Sequence, residues 1–188
     1  MKLLCLDLGR KTGIAVGEAG VIPPRIWTEI LARKGEGYEA ACERLGPVLR
    51  DWLRLENPDM IVIEHWLHPI AHPDANAVIM QFHLHGVVRG IAGCRSIPIR
   101  MPQPAEIRSH FCGKAFAMPR SRGPRTAAQK AEARKATKAM VINRAVLLGY
   151  LPRGSDADDS ADAAAMFDWA SVHVCRTSPA ELHFFGEN

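Results

Sequence analysis

No apolar run in the chain approaches the roughly 20 residues that a membrane-crossing helix needs. Met1-Lys2 leads directly into a strand-like segment rather than a signal peptide, so the expected location is the cytoplasm, away from any membrane. Cysteine is sparse, and Cys5, Cys42, Cys94, Cys112 and Cys175 are odd in number with no CxxC pair among them. That pattern argues against a disulfide framework and against a structural zinc site, leaving reduced, mostly buried thiols as the expectation. No internal repeat is present. What remains is an ordinary globular composition, 47% hydrophobic and 23% charged in 188 residues, which suits one domain with a sizeable core.

Net charge is only +4, but it is unevenly spread. Between Lys114 and Lys138 stand Arg120, Arg122, Arg125, Lys130, Arg134 and Lys135 against the lone acid Glu132, while Asp156, Asp158, Asp159 and Asp162 gather further on. Such segregation points to a polyanionic partner beside a site that uses carboxylates.

Taken in order, Lys2 to Val16 reads as a β-hairpin, two apolar runs broken at Leu8-Gly9-Arg10-Lys11-Thr12-Gly13, with a single acid, Asp7, at the inner end of the first strand. Val21 to Leu31 reads as a third strand, with Pro23-Pro24 at its start where an edge strand tolerates them. From Tyr38 to Leu55, Ala41, Leu45, Val48, Leu49, Trp52 and Leu53 recur at helical spacing, and Asn57-Pro58 ends the helix. Met60 to Glu64 is a short buried strand closed by an acid. A second helix, Asp74 to Gly93, offers Gly86, Gly90 and Gly93 for close packing on a neighbouring element. Ser96 to Met101 is a fifth strand and Pro102 to Phe111 a short helix. The stretch 113–126 is a basic loop, Ala127 to Leu148 a helix, and Ser155 or Asp156 caps a last helix to about Cys175. Residues 176–188 form a tail. Three early strands, then alternating helix and strand, then helices describe an α/β domain over 1–175 with a mixed five-stranded sheet, three strands antiparallel and two reached by parallel crossovers.

A carboxylate buried in a strand costs several kcal/mol to desolvate unless something binds it. If strands one and four are neighbours, Asp7 and Glu64 reach one edge of the sheet. Asp159 and Asp162 lie at i and i+3 on one helix face, whose stripe continues through Ala163, Met166 and Ala170 toward the sheet, whereas Asp168 falls on the opposite face. Four converging carboxylates repel one another and take up protons unless cations neutralise them. Oxygen-only ligands suit Mg²⁺ or Mn²⁺, and two such ions about 4 Å apart can activate a water and stabilise a leaving oxygen in phosphodiester cleavage. Taken alone, Asp159 also reads as a helix cap or dipole partner.

With these residues in place, the sequence resembles the RuvC-like Holliday junction resolvases of the ribonuclease H-like superfamily. The likeness runs from LDLGRKTGIAV through IVIEHW and QFHLHGVVRGIAG to DDSADAAAMFDWA, and the ending is similar to the phage and prophage branch. The resemblance implies a ribonuclease H-like fold, a crossover junction endodeoxyribonuclease acting on branched DNA, Mg²⁺ held by Asp7, Glu64, Asp159 and Asp162, and a homodimer with two symmetric sites. It also implies that the loop after Glu64 carries a side chain that wedges into the junction, for which Trp66 and Leu67 are candidates; packing of Trp66 into the core is the alternative. The turn after Asp7 is shorter by one residue than in cellular members, and a longer basic insert follows Gly113.

Lysines and arginines that contact phosphates supply affinity and salt dependence. The candidates are Lys11, Arg108, Lys114, Arg120, Arg122, Arg125, Lys130, Arg134, Lys135 and Lys138. His65, His68, His72, His83 and His85 are read as ordinary loop and helix residues. Competing functions are a general ribonuclease H on RNA:DNA hybrids, a module of the same fold without catalysis, and a small actin- or sugar-kinase-like ATP-binding protein, which would need a second domain and phosphate motif.

Overall fold

The computed structural model describes residues 1–66, 74–113 and 126–178. Its centre is a five-stranded sheet in the order β3-β2-β1-β4-β5. β1 (Lys2–Asp7), β2 (Lys11–Glu18) and β3 (Arg25–Ile30) form an antiparallel meander, and β4 (Met60–Ile63) and β5 (Ile99–Arg100) add in parallel. The expected mixed sheet is therefore present, with β1 and β4 adjacent.

Leu3, Leu4, Cys5 and Leu6 of β1 are wholly buried, as a strand covered on both faces requires. Successive side chains alternate between the faces. Leu4, Leu6, Ile61 and Ile63 pack against α1 (Tyr38–Glu56) and α2 (Ala75–Cys94). Leu3, Cys5, Met60 and Val62 pack against α3 (Pro104–Cys112), α4 (Ala127–Leu147) and α5 (Asp158–His173). α1 forms from the spacing of Ala41, Leu45, Leu49, Trp52 and Leu53, and it ends at Asn57, whose left-handed backbone (φ 44°) lets its N–H reach the Leu53 carbonyl at 3.2 Å before Pro58. Asp74 caps α2 by accepting from the Asn76 and Ala77 N–H groups.

Several boundaries differ from the sequence reading. The hairpin turn is only Leu8 to Arg10, because Lys11, Thr12 and Gly13 already pair in β2. β3 starts at Arg25 rather than Val21, since Pro23 and Pro24 have no N–H to give the ladder. β5 is two residues rather than six: Pro98 and Pro102 flank it and contribute only carbonyls, which accept from Ile61 N at 3.0 Å and His65 N at 2.9 Å. Neither Ser155 nor Asp156 caps α5; the N-cap is Ala157, and Ser155 Oγ bonds its N–H outside the helix. Gly86, Gly90 and Gly93 do not pack on another part of the described chain, for nothing lies within 4 Å of where their Cβ atoms would be. Of the cysteines, all free, only Cys5 is buried; Cys42, Cys112 and Cys175 are half-buried and Cys94 is exposed. Among the described residues no helix is long and apolar enough to cross a membrane.

Candidate active site

The pleat decides which acids meet. Asp7 continues the Leu3 and Cys5 side of β1, and Glu64 continues the Met60 and Val62 side of β4, so both lie on the face that α5 covers. Leu6 pairs with Ile63, which puts the next residues, Asp7 and Glu64, level on neighbouring strands. On β2 the partner of Asp7 is Gly13, and a Cβ there would come within 1.9 Å of the Asp159 carbonyl oxygen and 3.3 Å of the Ala163 Cβ. Glycine at this position lets the first turn of α5 rest directly on the sheet. Thr28 Oγ1, 2.9 Å from Ser160 Oγ, pins the same turn to β3. Asp159 and Asp162 are thus delivered over the strand acids.

The charges register one another. Burial, followed by repulsion from Asp162, Glu64 and Asp159, pushes the Asp7 carboxyl well above its ordinary range. Burial lifts Glu64 to about 7 and Asp162 to about 6; Arg108 opposes both shifts, Asp162 adds to that of Glu64, and Asp158 and Asp159 add to that of Asp162. Asp159 is raised by burial and by Asp158, against Lys138 and Lys11. Arg108 Nη2 stands 4.0 Å from Glu64 Oε1, so this arginine from α3 belongs to the acid cluster itself. Lys138 of α4 pairs with Asp158, an acid that is not among the four expected ligands.

A cation would meet only oxygen donors here, the chemistry of a hard divalent ion. Among the described residues no three His, Cys, Asp or Glu side chains already stand as a metal-holding group. The raised carboxyl groups nevertheless fit such an ion, since a positive charge relieves the repulsion that raises them. When bound, it would supply Lewis-acid polarisation and charge neutralisation at a phosphate.

An open cleft of about 970 Å³ runs from the acids past the turn, lined by Asp7, Asp159 and Asp158 and by the cations Arg10, Lys11, Arg33, Lys34 and Lys138. Thr12, fully buried, closes the turn: its hydroxyl donates to the Gly9 carbonyl at 3.1 Å and accepts from the Gly9 N–H at 3.3 Å. The Arg10 carbonyl accepts from Leu31 N at 2.8 Å and Ala32 N at 3.1 Å, and its guanidinium donates to the Arg33 carbonyl. Sequence reasoning misses Arg33 and Lys34 because they sit alone in a loop far from the basic run; only the β2–β3 pairing folds them beside Lys11.

Of the other candidates, Arg134 and Lys135 are exposed on α4. Lys114, Arg120, Arg122 and Arg125 lie outside the described residues, as do Leu67 and the side chain of Lys130, and most of the expected basic loop and tail with them. Trp66 is half-buried, its ring 5.2 Å from Phe82 and 5.4 Å from His85. His85 is buried with Nδ1 unpartnered, and burial lowers it to about 4, while His83 is exposed and stacks on Tyr38 at 4.1 Å. Asp168 does face away from the sheet, but not toward solvent: it is 5% exposed and accepts from Tyr150 Oη at 2.7 Å, because α3 and α4 cover the outer side of α5.

A sheet ordered 3-2-1-4-5, with acids level on its first and fourth strands and on the helix that crosses them, is the architecture of a ribonuclease H-like fold. Comparison agrees, although no family model matches the chain. It is 23% identical over 184 residues to a crossover junction endodeoxyribonuclease RuvC of Nocardioides sp., covering 96% of this chain and 93% of that protein. Among solved structures it is similar to Thermus thermophilus RuvC in complex with a Holliday junction substrate (TM-score 0.60, 16% identity, 93% of each chain). It is also similar to the yeast mitochondrial Holliday junction resolvase Ydc2 (TM-score 0.50, 15% identity, 90% of this chain and 77% of that one).

Proposed function

We propose that the protein is a structure-selective DNA endonuclease that hydrolyses a phosphodiester bond in four-way (Holliday) or other branched DNA with the help of divalent cations, Mg²⁺ first and Mn²⁺ as a substitute. The observation that carries this reading is the convergence of Asp7, Glu64, Asp159 and Asp162 on one face of the sheet, with all four carboxyl groups raised by burial and by neighbouring acids. Those four side chains would hold the cations. Arg108, 4.0 Å from Glu64, would meet the scissile phosphate. Lys11, Arg10, Arg33 and Lys34 line the approach and would hold the flanking backbone, with Lys138 across the cleft. Trp66, braced by Phe82 and His85, offers a ring face for base stacking at the junction.

A homodimer suits a two-fold symmetric substrate. Its support is the outward row of α2, where Ile79 (42% exposed) and Phe82 (40% exposed) continue into the open glycines Gly86, Gly90 and Gly93.

The test is a cleavage panel of a four-way junction, a flap, an RNA:DNA hybrid and a linear duplex, each with and without Mg²⁺. The junction is expected to be nicked only with Mg²⁺, and not by Asp7→Asn. Normal nicking by Asp7→Asn would overturn the assignment, and preference for the hybrid would transfer it to a general ribonuclease H.

A further inference from the structure

Away from the acidic cleft, the last turns of α3 and α5 bring two imidazoles together. His173 Nε2 lies 3.1 Å from His110 Nδ1, with ring centroids 4.8 Å apart and planes at 78°. The other nitrogen of His110, Nε2, is 2.8 Å from Asp168 Oδ2, and the second oxygen of that buried carboxylate accepts the Tyr150 hydroxyl at 2.7 Å. His110 is largely covered, its side chain 14% exposed, while His173 is exposed and its ring stacks on Trp169 at 5.4 Å. None of these groups has a part in the nuclease reading.

We propose that His110 Nδ1 and His173 Nε2 are the protein ligands of a second cation site, one that takes an imidazole-preferring transition ion such as Zn²⁺ rather than the oxygen-preferring Mg²⁺. The spacing fits: two nitrogens each 2.0–2.1 Å from a tetrahedral ion stand about 3.3 Å apart. The orientation fits as well. A ligating histidine ordinarily donates its other N–H to a carboxylate, which fixes the tautomer and leaves the second nitrogen's lone pair for the metal. Asp168 does this for His110 and is itself held by Tyr150. The exposure of His173 leaves room for waters to complete the coordination.

With only two protein ligands the site is exchangeable rather than structural. In its metal-free form one imidazole donates its proton to the other. Binding moves that proton to the other nitrogen of the same ring, which frees the lone pair for the ion, and joins α3, which carries Arg108, to α5, which carries Asp159 and Asp162.

The proposal stands apart from the nuclease assignment and is tested apart from it, by calorimetric titration of Zn²⁺ into the full chain in excess Mg²⁺, which competes for the carboxylates. One Zn²⁺ per chain is expected. His173→Ala, a change at an exposed position, is expected to weaken binding at least tenfold, and His110→Ala likewise, while Asp7→Asn retains it. The proposal is overturned by a wild-type chain that takes up no Zn²⁺ under these conditions. It is overturned equally by unchanged binding in His173→Ala, or by binding that is lost in Asp7→Asn instead.

Discussion

Replacing Glu64 by Gln should make the metal-free protein more stable while abolishing its cleavage of branched DNA. Burial raises this carboxyl from 4.5 to about 7, against the pull of Arg108 4.0 Å away. A carboxylate whose folded pKa is raised is disfavoured when ionised in the folded state, so stability is full below the unfolded value and is lost as pH rises toward the folded one. At 1.36 kcal/mol per unit, the loss at pH 7.5 comes to about 3 kcal/mol, and to about 2 if part of the shift belongs to the repulsion it shares with Asp162. At pH 4 both states hold the proton and the difference falls to a few tenths. Gln keeps the shape and removes the charge. Urea denaturation in EDTA should therefore show Glu64→Gln stabilised by about 2–3 kcal/mol at pH 7.5 and indistinguishable from wild type at pH 4. Saturating Mg²⁺ should close the gap at pH 7.5 by stabilising the wild type alone. A variant no more stable than wild type at pH 7.5 in EDTA would refute the claim that the acid cluster is held against its own repulsion.

Three other outcomes follow from the same site. Gly13→Ala drives a methyl into the Asp159 carbonyl and should lower stability by about 1–3 kcal/mol and reduce cleavage, read by thermal melting and junction nicking. Removing Arg108, as in Arg108→Gln, takes away the one influence that holds both Glu64 and Asp162 down, so the acidic limb of the pH–rate profile should move to higher pH, with Arg108→Lys intermediate. Arg33→Ala with Lys34→Ala should flatten the dependence of log binding constant on log salt by about 0.9 for each phosphate that these side chains neutralise, measured by junction binding without Mg²⁺.

Much of this arrangement is legible in the sequence because strands obey a period of two. Leu3, Cys5 and Asp7 share one side of β1, and Met60, Val62 and Glu64 share one side of β4, so the acids must face the same layer once the strands are neighbours. The errors also have physical causes. Apolar content alone misplaces the limits of β3 and β5 because it ignores which prolines can pair, and at Pro98 and Pro102 the carbonyls carry on after the N–H donors stop. A helical wheel turns Asp168 away from the sheet, as it is, but carries no sign that this side is covered too. α5 has buried residues nearly all round, among them Ala161, Ala164, Phe167 and Asp168, since it lies between the sheet and two further helices. Arg33 and Lys34 carry no local signal; their role depends on a chain reversal that brings them to Arg10.

The reach of the helix acids is a consequence of how little side chain lies beneath them. Ala163, buried on the sheet side of α5, has only a methyl, and Gly13 supplies no side chain at all where β2 passes under Asp159. Small residues on both surfaces let the helix settle close to the strands, as dense packing of an interior permits. At that separation Asp159 and Asp162 raise the carboxyl of Asp7 by their charge, and one methyl at residue 13 would be enough to part them. Ala163 after Asp162 and the glycine opposite Asp7 are therefore as much a part of the site as the acids: they fix the distance at which four like charges are held until a cation neutralises them.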